Sequence, residues 1–136
     1  MGITFKFLKM ETTKQTLVYQ SFQLLKYTFG LVPIVAGADK FLNILTNWEQ
    51  YLNPSMAGLI PFSAATFMMV VGVIEILAGI LVLTKPAIGA LVVSAWLTLI
   101  ALTLLVGFNY VDVAVRDLVM AIGALVLAKL AKAVNG

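Results

Sequence analysis

The residue pattern predicts an all-α integral membrane protein: a four-helix bundle with antiparallel neighbours and an amphipathic or extended helical segment between helices 1 and 2. Three observations carry this expectation. Of 136 residues, 62% are hydrophobic and 11% charged, against roughly 45–50% and about 25% in soluble domains. Residues 61–83 form an apolar run whose only ionisable side chain is Glu75, and about 20 apolar residues rising about 1.5 Å each cross a hydrocarbon core of about 30 Å. The basic residues, finally, gather at the ends of such runs rather than in one patch. The length suits one compact unit, divided into an N-terminal cytoplasmic or interfacial segment (1–16) and a single transmembrane domain (17–136).

Taken in order, residues 1–16 carry Lys6, Lys9 and Lys14, with Ile3, Phe5, Phe7 and Leu8 suited to the headgroup region. A secretory signal needs a core of about 7–15 apolar residues and a small-residue cleavage site, so this segment is expected to be retained. The first span, 17–40, contains Gln20, Ser21, Gln23 and Lys26, then no charge from Tyr27 to Ala38. Residues 41–60 are too polar to cross. Phe41, Leu45, Trp48 and Leu52 recur at helical spacing until Asn53-Pro54, which predicts either a continuation of the first helix or a short amphipathic helix on the surface, with Trp48 and Tyr51 at the interface.

The second span, 61–83, is joined to the third, 87–107, by Thr84-Lys85-Pro86. Pro opens a helix well and interrupts one badly. The fourth span, 113–130, opens near Asp112, Arg116 and Asp117, where acidic side chains favour the helix dipole. A cytoplasmic N-terminus puts Lys6, Lys9, Lys14, Lys85, Lys129 and Lys132 on the inner side, with Lys40 and Arg116 outside and Lys26 within the membrane. The expectation is therefore a multi-pass protein of the bacterial inner membrane with both termini cytoplasmic.

Inside the bilayer, Lys26, Gly30, Pro33 and Gly37 share a face of the first helix, and Ala64, Gly72, Glu75 and Gly79 share one of the second. An antiparallel register that sets Lys26 beside Glu75, Gly30 beside Gly72 and Gly37 beside Ala64 predicts an intramembrane ion pair, Lys26–Glu75, in a seam of small residues. The competing reading has Lys26 snorkelling and Glu75 hydrogen-bonded to a carbonyl, Ser21, Ser94 or Thr98. In the fourth span Asp117, Ala121, Ala124, Ala128 and Ala131 form a heptad-like packing stripe. An outer polar cluster of Asp39, Lys40, Arg116 and Asp117, with Asn43, Trp48, Glu49, Asn109, Tyr110 and Asp112 nearby, is either solvated interface or a closure in which Arg116 pairs with Asp39 or Asp117. Trp96, mid-span, needs a partner for its indole N–H and is expected to be buried.

Cys and His are absent, which excludes disulfides, dithiol relays, iron–sulfur clusters and His-ligated haem, and leaves no Cys or His ligand for zinc. The net charge of +3 is scattered, so topology accounts for it better than nucleic acid. No nucleophile–base arrangement, phosphate loop or metal cluster is legible, so catalysis by this chain is not expected.

Lys26, Gly30, Gly37 and Lys40 in the first helix, Gly72-x-x-Glu75 with Gly79 in the second, and Arg116-Asp117 at the last resemble the DoxX-like family of small four-helix bacterial membrane proteins. The likeness spans Leu24 to Lys129. It implies a bundle in the bacterial inner membrane, in some members associated with redox systems that deliver electrons to quinone, and it implies no single activity. The expected function is an accessory or structural subunit of a larger membrane complex, respiratory or redox, in contact with lipid and other subunits. The alternative is a bundle that binds a quinone or lipid through Lys26 and Glu75; proton-coupled transport is a thinner third reading for four spans without inverted repeats.

Overall fold

The computed structural model describes residues 2–52, 54, 58 and 63–135. Among them the chain is all-helical, with four α-helices: α1 (Gly2–Leu42), α2 (Ala64–Thr84), α3 (Pro86–Gly107) and α4 (Val111–Asn135). A single 3-10 turn, Trp48–Tyr51, lies between α1 and α2. Asn53, Pro61 and Phe62, where sequence signals place a helix stop and the start of the second span, lie outside the described residues.

α1 runs unbroken for 41 residues and joins the expected N-terminal segment to the expected first span. Residues 3–29 contain neither Gly nor Pro. The hydroxyls of Thr12, Thr13 and Thr16 donate back to the carbonyls of Leu8, Lys9 and Thr12 at 2.9–3.0 Å, so these polar residues are accommodated within the helix. Pro33 lies inside α1 without ending it.

The helix stops at Leu42, short of Trp48. Asp39 provides the cause: its Oδ1 accepts from Ile44 N–H at 3.0 Å and its Oδ2 from Leu45 N–H at 2.9 Å, while Asn43 turns to φ 53°. A carboxylate that takes the next backbone donors competes with the helix for them. The spacing of Phe41, Leu45, Trp48 and Leu52 therefore yields one 3-10 turn instead of a longer amphipathic helix.

Ser63 caps α2 by accepting from Thr66 N–H at 3.2 Å, and Pro86 opens α3 at once after Lys85. Phe108 and Tyr110, at φ 51° and 57°, make the left-handed turn into α4. α1 packs chiefly on α2 and α3 chiefly on α4, with α2–α3 and α1–α4 contacts joining the two pairs. One core cluster includes Phe22, Val82, Ala90, Val93, Ala124, Leu127 and Ala131; a second comprises Ala101, Leu104 and Ala114, with Tyr51 packed against it. The abundance of Ala in both lets the helices approach closely.

By length and composition α2 and α3 are apolar enough to cross a membrane, with mean hydropathy of 2.5 and 2.3 over their most apolar windows. Only 39% and 33% of those windows is buried, so most of their apolar surface faces outward.

Candidate functional site

Four glycines set the contact between α1 and α2. A Cβ on Gly37 would collide with the Gly72 carbonyl oxygen, and one on Gly79 with that of Gly30. Gly30 thus meets Gly79, and Gly37 meets Gly72. The two intervals of seven residues, each two helical turns, match end to end as the chain rises through α1 and descends through α2.

This register differs by seven residues from the one that sets Gly30 beside Gly72. A seven-residue slip keeps the same faces in contact, so the small-residue stripe alone does not distinguish the two. Level with Glu75 stands Ile34, and Lys26 is eight residues away, about 12 Å along the axis. The expected Lys26–Glu75 pair is therefore not formed. Lys26 Nζ instead lies 5.9 Å from the Phe22 ring centre and 5.5 Å from that of Tyr27.

Glu75 is paired with Lys40. The Lys40 Nζ donates to Glu75 Oε2 at 2.8 Å, with the two side chains only 5% and 9% exposed. Lys40 Cβ packs by Gly72, 3.2 Å from where a Cβ on that residue would stand, and its side chain reaches Glu75 one turn along α2. Gly72 is what lets the lysine stem lie there. The second carboxylate oxygen of Glu75, Oε1, accepts from Trp96 Nε1 at 3.4 Å, so α3 joins the same contact.

Around this pair the outer polar residues divide. Lys40 Nζ sits 3.8 Å from the Trp48 ring centre, a cation–π contact that shields the ammonium further, and Trp48 Nε1 donates to Asp39 Oδ2 at 2.9 Å. Asp39 is 6% exposed, occupied by the three donors that end α1. Asp117, 7% exposed, is close enough to interact with Glu75, which repels it, and with Lys40, which attracts it. Arg116 points away: it is on the surface beside Asp112 at 3.6 Å and reaches neither Asp39 nor Asp117.

The 3-10 turn covers this end. Tyr51 and Tyr110 meet edge to face with centres 4.7 Å apart, and Tyr110 Oη donates to Gln50 Oε1 at 3.2 Å. A hollow of about 10 Å³ lies beneath, lined by residues including Gln50, Tyr51, Thr103 and Tyr110, room for a single water. On α4, Ala121, Ala124 and Ala128 are buried, and Ser94 Oγ of α3 donates to the Ala121 carbonyl at 2.9 Å. Among the described residues no three carboxylates come together as metal ligands.

Sequence reasoning placed Lys40 in the outer polar cluster, solvated or closing the bundle's mouth, yet it is the partner of Glu75. The signal was present in the two seven-residue glycine intervals, which pair four glycines in only one register. The role of Trp48 had no such signal, because it depends on where Asp39 ends the helix. No family model, curated protein or solved structure matches this chain.

Proposed function

We propose that this chain is a non-catalytic, integral-membrane accessory subunit of a larger bacterial membrane complex, respiratory or redox in type, built as a four-crossing antiparallel bundle and related to the DoxX-like proteins it resembles. The observation that carries the reading is the way the interior charges are used. Lys40, Glu75 and Asp39 are each no more than 7% exposed and are held by one another, by Trp48 and Trp96 or by backbone donors. These groups tie α1, α2, α3 and the 3-10 turn together, with Asp117 of α4 buried beside them, as a fastening between helices requires.

The outward surface supports the membrane part of the reading. Leu77, Ile88, Leu99, Val106, Val119 and Ile122 are 53–80% exposed, surface that water would penalise at about 25 cal/mol per Å² and that lipid or neighbouring helices accept. The orientation is supported by the core: Phe22, Ala87 and Ala131 share one cluster, which groups Lys85, Lys129, Lys132 and the basic N-terminal half of α1 at one end. That end is the cytoplasmic one under the positive-inside rule.

Extraction of the protein from its native membrane in mild detergent, followed by mass spectrometry of what co-purifies, tests the reading. Membrane subunits in stoichiometric amounts are expected. Recovery without any other subunit at native abundance overturns it.

A further inference from the structure

We propose that α1 is also a self-association helix, whose outward face pairs with α1 of a second copy of this chain as a parallel coiled coil running from the membrane into the cytoplasm. This rests on the membrane reading for the parallel direction, because two copies inserted the same way present α1 with the same polarity.

Five apolar residues recur every seventh position: Ile3, Met10, Leu17, Leu24 and Leu31, exposed by 75%, 45%, 57%, 70% and 50%. A seven-residue repeat sustained over four intervals supplies one of the two seam positions of a left-handed two-helix supercoil; the alternating positions are Phe7, Lys14, Ser21, Thr28 and Val35, apolar at the two ends and polar between them. Phe7, four residues after Ile3, and Val35, four after Leu31, are 62% and 57% exposed and extend the alternation of three and four at its two ends. Gly30 and Gly37, which take α2, lie on a different face, so the seam is left uncovered by the chain itself. At its middle Leu24, Thr28 and Leu31 are exposed side by side on the open face of α1.

Length gives a second argument. Gly30 is level with Gly79, so the α2–α3 junction at Lys85 lies near residue 24 of α1, and most of the helix before that point has no α2 or α3 beside it. Residues 2–17 are exposed throughout. A single helix of that size is marginal in water, and a seam that continues from the spanning part into this arm supports both halves with one contact.

Charge selects a second copy over an unrelated helix. With the repeat as phased, Lys6 flanks the seam on one side and Glu11 on the other, five residues on. In a parallel, in-register pair those are the positions that face across the interface, so Lys6 meets the partner's Glu11 and Glu11 meets the partner's Lys6. Lys14, Ser21 and Thr28 occupy the seam's polar positions, where polar residues fix register at some expense of stability, and Lys14 Nζ lies 3.8 Å from Glu11 of its own chain.

The absence of cysteine makes the test direct. Single cysteines are placed on the seam (Leu17→Cys, Leu24→Cys) and on the other side of the helix (Phe5→Cys, Tyr19→Cys), and oxidised in native membranes with a membrane-permeable catalyst. Crosslinked dimer at the two seam positions, several-fold above the other two, is expected. No dimer at the seam, or equal yield on both sides, overturns the proposal. With Met10→Cys as reporter, Lys6→Glu should lower the yield roughly fivefold, the order of two exposed charge contacts, and Lys6→Glu with Glu11→Lys should restore it; a fall that the double exchange does not restore also overturns it. Seam crosslinking in membranes from which no other subunit co-purifies would sink the accessory-subunit reading and leave the dimer standing.

Discussion

Lys40 Nζ and Glu75 Oε2 stand 2.8 Å apart between α1 and α2, almost wholly shielded from solvent. An ion pair so placed has given up much of its solvation, and its attraction returns that only where the remaining donors and acceptors are also satisfied. Here Trp96 donates to the other carboxylate oxygen, and the Trp48 ring lies against the ammonium. The pair closes a loop of 35 residues and ties the end of α1 to the middle of α2.

Removal of one partner should therefore harm more than removal of both. Lys40→Met strands the Glu75 carboxylate, at a cost of about 3–5 kcal/mol, whereas Lys40→Met with Glu75→Leu replaces the pair by apolar volume and should recover most of the loss. Lys26→Met, which loses only ring contacts, should cost about 1 kcal/mol or less. Thermal unfolding of the three variants in one mild detergent ranks them; a Lys26→Met loss as large as that of Lys40→Met would contradict the pairing.

The glycine contacts make a second, independent prediction. Gly37→Ala forces a methyl into the Gly72 carbonyl and against Ile76, and the backbones must separate. Overpacking of this kind costs about 1–3 kcal/mol. Gly123→Ala meets only the rim of the Phe29 ring, at 3.1 Å or more, and Gly2→Ala meets nothing within 4 Å. The expected order of melting temperatures is Gly2→Ala, then Gly123→Ala, with Gly37→Ala clearly lowest.

The helical class, the Thr84-Lys85-Pro86 connection and the faces of α1 and α2 are local properties, and the sequence carries them in its apolar runs, its prolines and its glycine spacing. What it carries less clearly is register. Two antiparallel alignments seven residues apart bury the same faces, and they differ in which lysine reaches Glu75. The choice rests on two Gly–Gly contacts, Gly30 with Gly79 and Gly37 with Gly72, against one Gly–Gly and one Gly–Ala contact, a difference of one methyl at Ala64 against Gly79. The end of α1 was obscured for another reason: Asp39 looks like a surface acid until its carboxylate is seen taking the donors of Ile44, Leu45 and Trp48.

Core packing gives a third prediction. Leu127 has no exposed surface and sits among Phe22, Ala90 and Ala131. Leu127→Ala leaves a cavity, for which losses of about 2–5 kcal/mol are typical; on the membrane reading proposed above the lower end is expected, because lipid would be as apolar as the interior and the transfer part of the cost small. Ile122→Ala, at a site 62% exposed, should change stability by about 0.5 kcal/mol or less. Chemical unfolding in mixed micelles distinguishes them.

Asp39 makes the fourth. Its carboxylate accepts from the backbone of Ile44 and Leu45 and from the indole of Trp48, and the Trp48 ring in turn covers the Lys40 ammonium. Asp39→Ala removes all three acceptor contacts at once. Hydrogen bonds to a charged group contribute about 1.5–3 kcal/mol each when lost singly, but the amides of residues 44 and 45 can turn to water or extend α1, so a total near the value of one such bond is expected. The effect should be local first: faster hydrogen exchange at Ile44 and Leu45, then loosening of the Trp48 ring from Lys40, readable as a change in Trp fluorescence. Trp48→Phe keeps the ring over the ammonium and loses only the indole donor, so it should speed exchange at those amides far less. Equal exchange in both variants would mean that Trp48, and not the carboxylate, ends the helix.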